Sequence, residues 1–130
     1  MPTEQYHEPP EELPAATRTY ARLCTSLIEE AEAINWYAQR LAIEPDPEAR
    51  SVMEDAQGEE FKHFSMDLEF LLRRTPAWRE IARGILFTDG DIAEAAEEIE
   101  EEVVHAGPEN PTPGDSSQSL GIGGLKWSDA

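Results

Sequence analysis

Positive charge is scarce in this chain: 10 Lys and Arg stand against 28 Asp and Glu, a formal net charge of −18 over 130 residues. Nucleic acid and anionic membrane surfaces are recognised by clustered Lys and Arg, so neither is expected as a partner. A field of one sign instead concentrates cations, metal ions among them. Cysteine is almost absent. Cys24 is the single one, which excludes an intrachain disulfide and fits a reducing, intracellular setting. No apolar run approaches the roughly 20 residues that span a bilayer. The opening stretch MPTEQYHEPPEELP has neither a basic start nor an apolar core, so a signal peptide is not expected. Hydrophobic residues make up 39%, below the roughly 45–50% usual for globular chains. A single small domain so poor in apolar residues buries little surface, and association with further copies is expected.

Proline and glycine are also missing from long stretches, and their absence outlines the helices. Residues 1–14 are polar and proline-bearing and read as a flexible arm. From Ala15 to Ile43 neither residue occurs, while Tyr20, Leu23, Leu27, Ala31, Ile34, Ala38 and Leu41 recur at alternating spacings of three and four. That is the narrow stripe of an amphipathic helix. Glu44-Pro-Asp-Pro47 interrupts it, with Asp46 suited to cap a second helix and Pro47 to begin it. The second helix is expected from Pro47 to Arg74, with Ala49, Met53, Ala56, Phe64, Leu68 and Leu71 on its apolar side. Gly58 weakens it by about 1 kcal/mol relative to Ala, which close packing or a nearby partner is expected to offset. So short a link makes the two helices an antiparallel hairpin. Thr75 and Pro76 open a shorter third helix ending near Phe87. Asp91 can cap a fourth segment, IAEAAEEIEEEVVHA, whose like charges repel at i,i+4 and make it a weak helix on its own. The expected organisation is therefore an arm over 1–14, a helical hairpin with a third helix over 15–88, an acidic segment over 89–106 and a disordered Pro-, Gly- and Ser-rich tail over 107–130. Within that tail, residues 119–126 form a small apolar island.

Glu60-Phe-Lys-His63 places a carboxylate and an imidazole one turn apart on the same helix face, where both can reach one ion. Alone, such a match is common in acidic helical chains. Its position distinguishes it: at 100° per residue Glu60 falls about 20° from the middle of the apolar stripe, where an unpaired charge is costly. Glu30 occupies the edge of the seam on the first helix, beside Leu23, Ile34 and Leu41. Both carboxylates thus point between the helices. Oxygen donors with one imidazole suit iron or manganese better than zinc. Carboxylate-bridged di-iron bundles take one Glu from each of two helices and a Glu-x-x-His from each of the other two. This chain carries one of each, since His7 and His105 lie in the arm and the acidic segment. Two copies about a two-fold axis would complete four helices and the ligand set. Asp67, one turn beyond His63, is expected either to accept the second imidazole N–H or to be a polar residue at the helix edge. Glu29 and Glu32 lie on the far side of the first helix near Trp36, as a solvated face or an ion-uptake patch. Tyr37, on the Glu30 side, is either packed or bonded to a ligating carboxylate.

The stretches Glu29-Glu-Ala-Glu-Ala-Ile-Asn-Trp-Tyr-Ala-Gln-Arg40, Glu59-Glu-Phe-Lys-His63 and Leu86-Phe-Thr88 resemble the encapsulated ferritins. Leu120-Gly-Ile-Gly-Gly-Leu-Lys126 is similar to the cargo peptide that docks such proteins inside encapsulin shells. The resemblance runs from about residue 15 onward, the longer acidic segment 91–102 departing from it. It implies an all-α fold: an antiparallel hairpin that dimerises into a ferritin-like four-helix bundle, with a short third helix and a disordered C-terminal tail. It implies ferroxidase ligands at Glu30, Glu60 and His63, metal-uptake acids at Glu29 and Glu32, and site-proximal aromatics at Trp36 and Tyr37. Shell-docking anchors fall on Leu120, Ile122 and Leu125. The further expectations are iron, two per dimer; dimers assembled into an annular decamer; an encapsulin shell protein as partner; and residence inside an encapsulin nanocompartment in bacterial or archaeal cytoplasm.

Oxidation of Fe(II) by dioxygen at a site shared between subunits, with iron delivered for storage in the shell, is the expected function. The rival is a non-catalytic acidic metal-binding adaptor recruited to a shell by its C-terminal peptide. A peroxidase fed through a rubredoxin-like module is disfavoured, because Cys-x-x-Cys pairs are missing.

Overall fold

A computed structural model describes residues 5–105, and for His105 the backbone alone. The C-terminal tail, with Leu120, Ile122 and Leu125 and the peptide 119–126, lies outside the described residues, as does the start of the arm. Among the described residues all regular structure is helical. A 3-10 turn, Pro10–Glu12, precedes α1 (Ala15–Ile43), α2 (Pro47–Arg74), α3 (Pro76–Ile85) and α4 (Ile92–His105). None of these helices is long and apolar enough to cross a membrane.

The chain divides into two compact units, one reaching to Leu71 and the other beginning at Leu72. In the first, Pro45 and Pro47 bias their preceding residues away from helical conformation, and Glu44 is extended. Asp46 Oδ1 accepts from the Ala49 N–H at 2.9 Å and caps α2. The turn is then locked from the α2 side. The Arg50 guanidinium donates to the carbonyls of Leu41 and Glu44 at the end of α1, where helix carbonyls lack partners and carry partial negative charge. Further along, Gln57 Nε2 donates to the Ile34 carbonyl at 3.2 Å. Leu41 with Arg50 and Ile34 with Gln57 step away from the turn together, as antiparallel helices must.

Packing between the two helices leaves much apolar surface uncovered. Among the described residues Leu71 is the one fully buried large side chain, whereas Val52, Phe61 and Met66 on α2 are 67%, 51% and 63% exposed. Gly58 does not compensate for its weak propensity by close packing: a Cβ there would meet open space. Among the described residues the glycine accommodates no neighbour.

In the second unit α3 ends at Ile85, two residues before the expected Phe87, because Leu86 turns extended. Thr88 Oγ1 bonds the Ile85 carbonyl at 2.7 Å, and Gly90 adopts φ 89°, a conformation glycine takes without steric penalty. Asp91 Oδ1 caps α4 by accepting from the Glu94 N–H at 2.9 Å. The acidic segment is a regular helix because tertiary packing overrides its self-repulsion. Ala95, Ala96, Ile99 and Val103 form its less exposed stripe, and its glutamates face outward. Ile99 sits over Gly84 of α3 so closely that a Cβ at 84 would collide with it.

Candidate metal centre

Glu30 of α1 and Glu60 and His63 of α2 converge in the first unit: one ligand atom from each lies within 4.8 Å of the other two. All three side chains are partly buried. His63 Nδ1 stands 3.8 Å from Glu60 Oε2, across the single turn that separates them. The helix also sorts the nearby charges. Lys62 projects away from the cluster and pairs with Glu59, Nζ to Oε2 at 2.7 Å. That contact holds the Glu59 carboxyl below the usual carboxylate range. Glu60, one residue on, turns to the seam without that lysine.

Glu30 is the strongly perturbed acid. Burial, then the close approach of the Asp67 carboxyl, then the negative charges of Asp67, Glu60 and Glu29 push it up to about 7. Glu30 Oε2 and Asp67 Oδ2 are both buried, and neither receives a hydrogen bond from the described residues. Two facing carboxylates have no proton to give unless one is protonated. Asp67 therefore lies against Glu30. Asp67 is partly exposed, in keeping with the expected polar residue at the helix edge, and its approach to Glu30 across to α1 was not expected. Its i+7 spacing from Glu60, on the same side of α2, was the available signal.

Glu29 and Glu32 lie outside this convergence. They share the opposite side of α1 with Trp36, which is 50% exposed and lines a shallow open depression with Gln39 and Arg40. That depression lies on the far side of α1 from Glu30. Tyr37 is two turns from Glu30 along one side of α1, and the Arg40 guanidinium carbon sits 5.3 Å from its ring centroid, a cation–π arrangement.

Three side chains leave a bound ion with open positions. Carboxylate oxygens and a single imidazole are hard donors that fit iron or manganese, and the buried, unanswered Glu30 oxygen is a place where positive charge would be stabilised.

Residues 5–89 match the protein family described as EncFtn-like. A curated protein of Rhodospirillum rubrum described as "Encapsulated ferritin-like protein" is 40% identical over 122 residues, spanning 92% of this chain and 86% of that one. A "Ferritin-like protein" of Thermotoga maritima is 44% identical over 95 residues, 73% of this chain and 83% of its own length. Among solved structures, protein ne0167 from Nitrosomonas europaea superimposes with a TM-score of 0.65 at 38% identity, covering 68% of this chain and 97% of that one.

Proposed function

The chain belongs to the EncFtn-like family, and on that premise we propose that it oxidises Fe(II) to Fe(III) with dioxygen at a di-iron site shared by two subunits. The convergence of Glu30, Glu60 and His63 within 4.8 Å carries this reading. One chain offers two carboxylates and one imidazole, too few to hold a pair of ions. Two chains about a two-fold axis offer four carboxylates and two imidazoles, the donor set of a carboxylate-bridged di-iron bundle. The exposed apolar side chains of Val52, Phe61 and Met66 independently call for a partner.

In this reading Fe(II) is the substrate. Glu60 and its symmetry mate bridge, while Glu30 and His63 are terminal ligands, so the protein's task is to hold two redox ions close together with open positions. Each ion gives up one electron and dioxygen accepts both. Glu29 and Glu32, with Trp36 beside them, form an acidic approach for incoming ions, and Tyr37 belongs to the surroundings of the site.

The name of the Rhodospirillum rubrum relative supports a second part of the proposal: this protein works as cargo inside an encapsulin shell, docked by Leu120, Ile122 and Leu125, and passes its iron to that compartment for storage. An annular assembly of five dimers is the quaternary state we propose with it. A bacterial or archaeal cytoplasm is the corresponding location.

Glu60→Ala is the deciding variant. Rapid Fe(II) oxidation, followed by oxygen uptake on anaerobic-to-aerobic mixing, should fall by at least about 100-fold, since even residues that only support ligands typically cost 10–100-fold. An unchanged rate would refute the assignment. The same assay on the unmodified chain separates it from a non-catalytic acidic adaptor, which would bind Fe(II) without consuming oxygen.

A further inference from the structure

Among the described residues, Asp67 acts on the Glu30 carboxyl at close range, and the three-ligand reading leaves it without a task. It follows His63 by four residues and Glu60 by seven, so all three share one side of α2, and side chains four apart on a helix meet. From there it reaches across to the Glu30 carboxyl. Asp67 Oδ2 and Glu30 Oε2 are each fully buried, and no described residue donates to either. Every charged neighbour acting on Glu30 is itself an acid: Asp67, Glu60 and Glu29. Buried acceptors without donors are expensive, and a like-charged neighbour compounds the cost. A side chain kept solely for packing would not be a carboxylate here. A divalent cation between the two acids resolves both penalties with oxygen donors of the kind it prefers.

We propose that Asp67 is a further metal-contacting side chain of each half-site, taking the divalent cation together with Glu30. This rests on the metal-centre reading above and adds a third carboxylate to each half. Glu30 then shares the cation with Asp67 as well as with Glu60 and His63. The site is richer in hard oxygen donors than Glu-x-x-His and one glutamate provide, which favours hard cations over zinc.

Cobalt(II) tests this without turnover, because its visible absorption reports the number and arrangement of donors. The chelator-stripped full-length chain and its Asp67→Asn variant, which keeps the shape and removes the charge, are titrated calorimetrically and spectroscopically. Asp67→Asn is expected to weaken Co(II) binding about 10–100-fold and to alter the absorption bands, with helicity unchanged by circular dichroism. Asp67→Ser, smaller and polar, gives the same readouts should the amide disturb folding. Parental affinity in both variants overturns the proposal. Weaker binding with unaltered bands overturns the contact too, because a carboxylate acting only through its field leaves the donor set intact. Glu60→Gln runs alongside: if it also keeps parental affinity, the whole metal-centre reading fails, whereas its loss beside an unaffected Asp67→Asn removes Asp67 alone.

Discussion

His63 Nδ1 lies 3.8 Å from Glu60 Oε2 on one side of α2, so the helix repeat itself aims two different donors at one point. Glu30, arriving from α1, brings a third. Such a point is a partial coordination sphere, and what completes it has measurable consequences.

Completion by a second copy makes metal binding depend on association. On dilution, Fe(II) oxidation per chain and the fraction of dimer by sedimentation or mass photometry should decline together. Binding to the high-affinity site should saturate at about one iron per chain, following the ligand count of two half-sites for two ions. Undiminished activity in a population of monomers would show the site to be complete within one chain.

Glu30 gives the metal-free protein a pH dependence of definite sign. Its carboxyl is pushed up from 4.5 to about 7 in the folded state, so between those values the folded chain holds more protons than the unfolded one. Stability contributed by this group is present below about pH 4.5 and is lost as pH rises through 7. In chelator, raising the pH across this window should lower the thermal midpoint of the parent more than that of Glu30→Gln. Metal must displace that proton, so Co(II) affinity should rise across the same window and level off above it. Parallel parent and Glu30→Gln profiles would contradict this.

Arg50 ties the start of α2 to the end of α1. Arg50→Ala frees the carbonyls of Leu41 and Glu44, and hydrogen bonds to charged groups contribute about 1.5–3 kcal/mol each. The side chain is 39% exposed, so water replaces part of the loss and a cost near the lower bound is expected. Chemical denaturation would show it as a lower midpoint at unchanged slope, and metal stoichiometry should stay as in the parent because the site is several turns away.

Docking and chemistry are proposed to reside in different parts of the chain. Removing residues 119–130 should abolish co-purification with a co-expressed encapsulin shell while Fe(II) oxidation continues at the parental rate. Loss of both together would mean that the tail takes part in the site.

Local determinants were plain in the sequence because they act over single turns. The bounds of α1 and α2, the Asp46 and Asp91 caps and the pairing of Glu60 with His63 follow from three- and four-residue periodicity and from prolines at 45 and 47. These interactions span so few residues that no distant packing alters them. The facing of Glu30 and Glu60 was legible for a related reason, since a three-residue link leaves two long helices little choice but to fold back.

What only the tertiary structure decided depends on how surfaces rotate and press against one another. Asp67 approaches Glu30 because the roll of α2 against α1, which no periodicity specifies, brings the two acids together across the seam. The acidic α4 holds its helix because Ile99 lies over Gly84, a contact between residues fifteen apart that outweighs the repulsion the local sequence advertises. Gly58 shows the same limit from the other side: its propensity cost is written in the sequence, yet only the fold reveals that none of the described residues fills the space.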